Sequence, residues 1–354
     1  MIYSTCVEGI IAVSRDELNM VLSVDDPRNS DSIIRVRVRQ AFKHENAVLG
    51  GILAVIITAF AVMTKGLSVS PDNVMNVILQ SAIRGVASIG QFFVILTGGI
   101  DLSVGAVACM SANLGAALLT ESELNIVGTP ISLPMAVLIM LLAGIGIGAF
   151  NGFAVSRIRM PALIVTLAVW QITLGGVFQI GGGFSFLRLP RSLAIFGQGD
   201  IGGVPLPVII FILSAVVVYF IMYHTTFGRS IYAVGGNPIS AWLSGIRVPN
   251  ITLSVYVIAS FCAGLAGLML VSRNMVASCY TASGLELDTI AAVAIGGVSL
   301  GGGRGTLIGV ILGVIIIGVI NNGMNIIGLS PTLQGLVKGA VIYAAVAVDS
   351  MRRR

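Results

Sequence analysis

A glycine-rich segment of eight residues interrupts a long apolar region of this chain. It reads Gly98-Gly99-Ile100-Asp101-Leu102-Ser103-Val104-Gly105. The segment places a carboxylate and a hydroxyl between two apolar runs, where a charge is costly unless it faces protein or a water-filled path. Its three glycines indicate an interrupted helix, whose freed backbone groups need protein or solvent partners. The segment therefore predicts a broken helix beside a transport pathway rather than a packed water-soluble core.

The composition of the whole chain also indicates a membrane protein. Of its 354 residues, 56% are hydrophobic and 10% are charged, whereas soluble domains contain about 25% charged residues. So few charges cannot cover a water-facing surface, so we expect the chain to lie in a lipid bilayer. The net charge of +5 comes from basic residues in short loops and at the ends. That distribution is typical of membrane orientation rather than nucleic-acid binding, so no nucleic-acid partner is expected.

Ten apolar runs approach the roughly 20 residues that a helix needs to cross a bilayer. They cover residues 47–64, 73–97, 104–120, 135–155, 162–180, 207–223, 251–271, 287–300, 306–327 and 333–348. Because the run 287–300 is short enough to be re-entrant, eight or nine spans stay open as alternatives. The predicted fold is an all-α polytopic membrane protein with some helices broken at glycine-rich motifs.

Two glycine patterns add detail to this fold. Gly144, Gly148 and Gly152 recur at a spacing of four residues, which places small residues on one helix face and allows a neighbouring helix to approach closely. Residues 98–102 also resemble residues 296–300, which read Gly-Gly-Val-Ser-Leu. Such an echo is expected for an internal structural repeat, and chance similarity between glycine-rich apolar segments is the alternative.

The charges of the loops predict the orientation. The basic residues of the predicted inner loops are Arg157, Arg159, Arg229, Arg247 and Arg304, and the outer loops hold the acidic residues Glu121 and Glu123. Both termini are therefore predicted to be cytoplasmic. The chain would then consist of a cytoplasmic tail (residues 1–45), a transmembrane domain (46–350) with a cytoplasmic loop (224–250), and a basic carboxyl terminus (351–354).

The cytoplasmic loop contains a short helix with clear end signals. The side-chain oxygen of Asn237 can cap a helix, Pro238 suits the first helical position, and Gly245 can take the left-handed conformation that ends one. The helix would expose three apolar side chains, Ile239, Trp242 and Leu243. We expect it to dock on a soluble protein, and the alternative is that the loop folds onto its own helix bundle.

Several separated blocks resemble the ribose-type sugar permeases of bacterial ABC importers. The blocks are residues 98–105, 226–229, 232–237, 243–246, 285–293, 296–297, 302–305 and 321–325, and the resemblance covers residues 47–350. The first 45 residues fall outside it.

The resemblance implies a permease subunit in the bacterial inner membrane that moves a monosaccharide, a pentose or a hexose, into the cytoplasm by alternating access. It implies three protein partners: a second copy of the chain or a close paralogue, a cytoplasmic ATPase with two nucleotide-binding cassettes, and a periplasmic sugar-binding protein. The phosphate-binding pattern G-x-x-x-x-G-K-[ST] does not occur in the sequence. ATP and Mg are therefore expected on the ATPase, and no catalytic residue, cofactor or metal is expected on this chain.

By the same resemblance, the short cytoplasmic helix and the residues before it couple the permease to the ATPase. The predicted coupling residues are Gly235, Gly236, Asn237, Pro238, Ala241, Trp242, Leu243, Ser244 and Gly245.

A sugar pathway needs scattered amides, hydroxyls and an aromatic side chain rather than a tight site. The candidates for the pathway or for a hinge are Gln91, Gly99, Asp101, Ser103, Asn113, Thr166, Trp170, Asn321 and Asn325. The alternative for each polar group is a hydrogen bond that holds the helix bundle together. The position of Asp101 near the inner end of the second run favours a hinge over sugar contact.

Two other functions stay open. One is a permease for branched-chain amino acids or another small polar solute. The other is a proton-coupled secondary carrier. The ionisable groups Arg84, Asp101, Glu286 and Asp288 either form internal ion pairs that hold the broken helices or line the gate, and a proton relay would make the chain a secondary transporter. Proton relays use chains of carboxylates and histidines, and the two histidines of this chain lie at predicted cytoplasmic edges, which weakens that alternative.

Overall fold

The computed structural model describes residues 46–352, so the prediction of a tail over residues 1–45 lies outside the described part of the chain. Within residues 46–352 the chain forms thirteen α-helices. Numbered in chain order, they are α1 Asn46–Met63, α2 Pro71–Leu96, α3 Val104–Leu119, α4 Leu133–Ser156, α5 Ala162–Gly181, α6 Ile195–Gln198, α7 Leu206–His224, α8 Thr226–Gly236, α9 Pro238–Leu243, α10 Val248–Asn274, α11 Leu285–Ile295, α12 Leu307–Ile326 and α13 Pro331–Arg352. A two-residue antiparallel ribbon, Asp200–Ile201 with Val204–Pro205, precedes α7.

Seven of these helices are long and apolar enough to cross a membrane: α1, α2, α4, α5, α7, α10 and α12. They confirm seven of the ten predicted runs and show that the chain is an all-α, multi-pass membrane protein. Of the other three runs, 104–120 forms the shorter apolar helix α3 and 333–348 forms most of α13. The run 287–300 overlaps α11, which begins at Leu285 and ends at Ile295 because Gly296 and Gly297 leave the helix and Gly297 has a positive φ of 79°.

The core is built around α10, which packs against α2, α3 and α4. The close approach of α4 depends on the predicted glycine face. A Cβ placed on Gly144 or Gly152 would lie 2.8 Å from a backbone oxygen of α10, and one on Gly148 would lie 2.6 Å from Ser260 Cβ. No described atom lies within 4 Å of a Cβ placed on Gly146, on another face of the same helix. The spacing of four residues therefore marks the buried face, as predicted.

The predicted break between the second and third apolar runs is also confirmed. Helix α2 ends at Leu96, Gly98 takes a left-handed φ of 82°, and α3 begins only at Val104. Asp101 lies within this break and is fully buried. In the similar segment 296–300, Gly297 also has a positive φ directly after a helix end. Both glycine-rich motifs thus directly follow the end of a helix.

Candidate functional site

The break after α2 is held by a buried chain of hydrogen bonds. Asp101 Oδ1 accepts from the backbone N–H of Ser103 at 2.8 Å and from its hydroxyl at 2.6 Å. The Ser103 Oγ in turn accepts from Asn151 Nδ2 at 2.9 Å, and all three residues are buried. The chain ties the break to α4, so these side chains fix the local conformation.

The break also contacts α5 and α10. The hydroxyl of Thr166, on α5, lies 3.2 Å from the Ile100 carbonyl oxygen and 2.9 Å from that of Ala162. A Cβ on Gly99 would lie 2.7 Å from the hydroxyl of Tyr256, on α10. The structure thus brings the predicted residues Gly99, Asp101, Ser103 and Thr166 together. Asn151 and Tyr256 were missed because each lies within an apolar run far from the motif in sequence.

The remaining pathway candidates do not join this cluster by hydrogen bonds. The amide of Asn113 donates to the carbonyl oxygens of Cys109 and Ser278, both at 2.9 Å, and so ties α3 to the segment after α10. Gln91 is fully buried on α2, and its amide atoms make no hydrogen bond with the described residues. Trp170 is half-buried on α5.

A second polar site surrounds Asp288 on α11. Its Oδ1 lies 2.9 Å from Lys338 Nζ on α13, and its Oδ2 lies 3.3 Å from Arg84 Nε on α2. The Asn321 amide of α12 donates to the same Oδ2 at 3.0 Å. One buried carboxylate therefore joins four helices. The ion pair between Arg84 and Asp288 matches one of the two sequence-based alternatives, whereas Lys338 was missed because its run was treated as an apolar span.

This ionic cluster lines a cavity of about 340 Å³, here called the charged vestibule, whose polar lining groups are Gln80, Arg84, Arg273, Asn274, Ser283, Asp288 and Lys338. Tyr280, which is mostly exposed, contributes an aromatic ring to the same wall. The vestibule combines hydrogen-bond donors, acceptors and an aromatic surface in a volume that accommodates a small polar solute. Asn325 does not belong to it, because its side chain is exposed and accepts from Gln334 Nε2 at 2.8 Å.

The predicted short helix of the 224–250 loop is present as α9, with the predicted ends. Asn237 Oδ1 accepts from the backbone N–H groups of Ile239 and Ser240, both at 3.0 Å. Pro238 takes the first helical position, and Gly245 has a left-handed φ of 85° just after the helix. The local conformation is confirmed, and the role of the helix stays a prediction.

The surface of α9 is apolar where a free loop would be polar. The exposed fractions of Ile239, Trp242 and Leu243 are 71%, 65% and 72%. Ala241 points inward and is buried, while the Ser244 hydroxyl donates to the Ser240 carbonyl at 2.9 Å. The helix therefore fixes a compact apolar knob on the surface of the chain.

Helix α8 supports α9 from the preceding turn. Gly235 and Gly236 are its last two residues, and the hydroxyl of Tyr232 donates to the Gly305 carbonyl at 2.9 Å. Burial raises the pKa of the Tyr232 hydroxyl, so the group stays protonated and available as a donor. A neutral hydrogen bond thus fastens α8 to the segment that precedes α12.

Comparison with known proteins places the chain in a family. Residues 73–346 match the protein family described as "Branched-chain amino acid transport system / permease component". The chain is 37% identical over 304 residues to the ribose import permease protein of Bacillus subtilis (strain 168), an alignment that covers 85% of this chain and 92% of the relative. It is 35% identical over 300 residues to the D-allose transport system permease protein of Escherichia coli (strain K12), covering 85% and 90% of the two chains.

A third relative, the fructose import permease protein of Rhizobium meliloti, is 32% identical over 329 residues, with 89% of this chain and 88% of the relative covered. The names of these three relatives specify sugars, whereas the description of the family specifies branched-chain amino acids. No solved structure matches the chain.

Proposed function

This chain belongs to the permease-component family that its residues 73–346 match, and we propose on that premise that it is the membrane subunit of an ATP-driven monosaccharide importer. It is a non-catalytic transport subunit, as its relatives are permeases. The identities of 32–37% to relatives named for ribose, D-allose and fructose support a sugar over a branched-chain amino acid. The sugar is a pentose or a hexose.

The observation that carries the proposal is the apolar knob of α9. A six-residue helix cannot be stable alone in water, yet this one is capped at both ends and exposes three large apolar side chains. Such a surface is typical of an interaction site. We assign it to a cytoplasmic ATPase with two cassettes, which binds the ATP and Mg. Residues 235–245 then form the coupling segment.

The proposed orientation places the loop 224–250 and both chain ends, residues 1–45 and 351–354, in the cytoplasm, and residues 46–350 in the bacterial inner membrane as the permease domain. This orientation puts the charged vestibule on the opposite half of the bundle from α9. Its lining residues Arg273 and Asn274 end α10, about 38 Å of helix from Val248 at the start of α10 near α9, at 1.5 Å per residue, whereas Arg84 lies near the middle of α2. The vestibule thus opens toward the periplasm, where a sugar-binding protein delivers its ligand.

We propose that sugar passes from the charged vestibule toward the break after α2. The vestibule offers amide, carboxylate and cationic groups to sugar hydroxyls, and the ring of Tyr280 offers a surface to the C–H face. Alternating access would move the two halves of the bundle about the break, where Asp101, Ser103 and Asn151 hold the hinge. A second copy of the chain completes the pathway as a homodimer, with a close paralogue as the other possible partner.

The docking of the ATPase can be tested by removing the apolar knob without removing α9. In the triple variant Ile239→Ser, Trp242→Ser and Leu243→Ser, we expect membrane insertion to persist and co-purification of the ATPase to be lost. The control replaces Leu187 and Ile201 by serine, because they are similarly exposed, at 68% and 64%, and lie between α5 and α7, on the side that the proposed orientation places outside the cell. Normal ATPase binding by the triple variant would contradict the assignment.

A further inference from the structure

Three glycine-rich segments from distant parts of the chain meet with their backbones in direct contact. The Gly303 N–H donates to the Leu96 carbonyl oxygen, the last of α2, at 2.9 Å. A Cβ on Gly302 would lie 2.8 Å from Gly98 N and 2.9 Å from Gly235 O. We call this meeting of residues 96–99, 235–236 and 301–303 the glycine junction. It joins the end of α8 to both glycine-rich motifs that follow broken helices.

Gly235 occupies the centre of the junction. A Cβ at this position would collide with the Leu96 carbonyl oxygen and with Gly303 N, the two atoms that form the hydrogen bond across the junction. These are backbone atoms, so they cannot move aside as a flexible side chain can. In contrast, no described atom lies within 4 Å of a Cβ placed on Gly236. The requirement for glycine is therefore specific to position 235 and is not a general property of this turn.

The loop that receives α8 is itself well ordered by hydrogen bonds. The Ser299 N–H donates to the Arg304 carbonyl and the Gly302 N–H to the Ser299 carbonyl, both at 2.9 Å. Tyr232, one turn before Gly235 on the same face of α8, donates to the Gly305 carbonyl at 2.9 Å. Helix α8 is thus fastened at two successive turns to a closed loop, and the residue after α8 is Asn237, the cap of α9.

The packing between α9 and the break is looser. A cavity of about 660 Å³ lies between them, lined by Pro238 and by the solvent-exposed side chains of Ile239 and Trp242 on α9, and by Gly98 and Gly99 at the break. A displacement of α9 can therefore change the volume of this cavity without pressing directly on the break. The stiff connection between α9 and the break is therefore the glycine junction at the end of α8. Its contacts are made by backbone groups, which have no side-chain rotamers that could absorb the movement.

We propose that the glycine junction transmits movement of α9 to the breaks that follow α2 and α11, with Gly235 as the positioning residue. The proposal rests on the proposed function, because it requires that a docked ATPase moves α9. One shift of α8 would reach both breaks together, since the Leu96 carbonyl and the Gly303 N–H are bonded to each other. The two halves of the pathway would then change conformation in one step, as expected for packed elements with two discrete arrangements.

The test compares Gly235→Ala with the control Gly146→Ala in the full transporter, reconstituted with the ATPase and the sugar-binding protein. Both changes add one methyl group to a helical glycine, and no described atom lies within 4 Å of a Cβ placed on Gly146, which is outside the coupling segment and the glycine junction. We expect the two variants to bind the ATPase equally. The number of sugar molecules taken up per ATP hydrolysed should fall by about tenfold in Gly235→Ala and stay at the wild-type value in Gly146→Ala.

Wild-type coupling in an assembled Gly235→Ala transporter would overturn the role of the junction and leave the proposed function intact. If Gly235→Ala does not assemble, Tyr232→Phe provides the test, because it removes the hydroxyl that donates to the Gly305 carbonyl and keeps the aromatic ring. Reduced uptake per ATP in Tyr232→Phe supports the proposal, and unchanged uptake overturns it. Failure of the wild-type chain to bind any ATPase would instead contradict the proposed function and the junction together.

Discussion

Loss of the cap on α9 gives a quantitative prediction for the docking helix. Asn237→Ala removes the acceptor of two hydrogen bonds, to the Ile239 and Ser240 N–H groups at 3.0 Å. Replacing such a cap by alanine destabilises a helix by about 1 kcal/mol. That energy corresponds to about a fivefold decrease in the ratio of folded to unfolded helix. Since α9 has only six residues, its folded state has little other local support.

The affinity of the ATPase for the permease should decrease accordingly. If the ATPase binds only the folded helix, and the wild-type helix is already marginal without its partner, the dissociation constant rises by up to the same factor of about five. The assay is a titration of the purified ATPase onto the permease in nanodiscs. The matched control is Asn237→Asp, which keeps a side-chain oxygen at the capping position and should bind within about twofold of the wild type.

Two results would refute this reasoning. Equal affinities for Asn237→Ala and the wild type would show that a preformed α9 does not contribute to docking. An affinity of Asn237→Asp as low as that of Asn237→Ala would show that the amide itself, rather than the cap, is recognised.

Three further predictions concern thermal unfolding of the purified permease in detergent. Ser103→Ala breaks the buried hydrogen-bonded chain at the break and should destabilise the protein by about 1–3 kcal/mol; Ser103→Thr, which keeps the hydroxyl, should be milder. Gly148→Ala overpacks the interface between α4 and α10 and should cost about 1–3 kcal/mol, whereas Gly146→Ala should be neutral. Asp288→Ala leaves two partly exposed cations without their shared carboxylate and should cost less than the roughly 3–5 kcal/mol of a fully buried pair. Equal melting temperatures within any of these comparisons would contradict the contact concerned.

The features that the sequence predicted best depend on short-range signals. The helix α9 is capped by a residue adjacent to it and ended by a glycine two residues beyond it. The break after α2 likewise follows from glycines next to a helix end. In both cases the conformational preferences of a few neighbouring residues decide the local structure, so the sequence alone is enough to predict it.

The contacts that the sequence did not predict join residues far apart in the chain. Asn151 reaches Ser103 across 48 positions, and Asn321 reaches Asp288 across 33. Lys338 lies in an apolar run whose partner is set only when α13 packs on α11. The demand for glycine at position 235 depends on backbone atoms of two other segments. Tertiary packing decides these contacts, and no local pattern in one sequence encodes them.

The same distinction explains the count of membrane helices. The run 287–300 is mostly apolar, yet its helix stops at Ile295 because the following glycines turn the chain. Hydropathy registers the composition of such a run and not the direction of its backbone. Apolar length alone therefore overestimates the number of membrane-length helices in a chain with 44 glycines.

We propose that ATP hydrolysis on a partner drives a sugar through this chain, and uptake into vesicles measures that transport. The chain would be reconstituted in liposomes with its ATPase and its sugar-binding protein, and radiolabelled pentose or hexose would be followed into the compartment that contains ATP. Uptake should require both partners and hydrolysable ATP, and unlabelled sugar but not leucine should compete. Accumulation of sugar driven by a pH gradient, with the ATPase omitted, would show instead that the chain is a proton-coupled carrier.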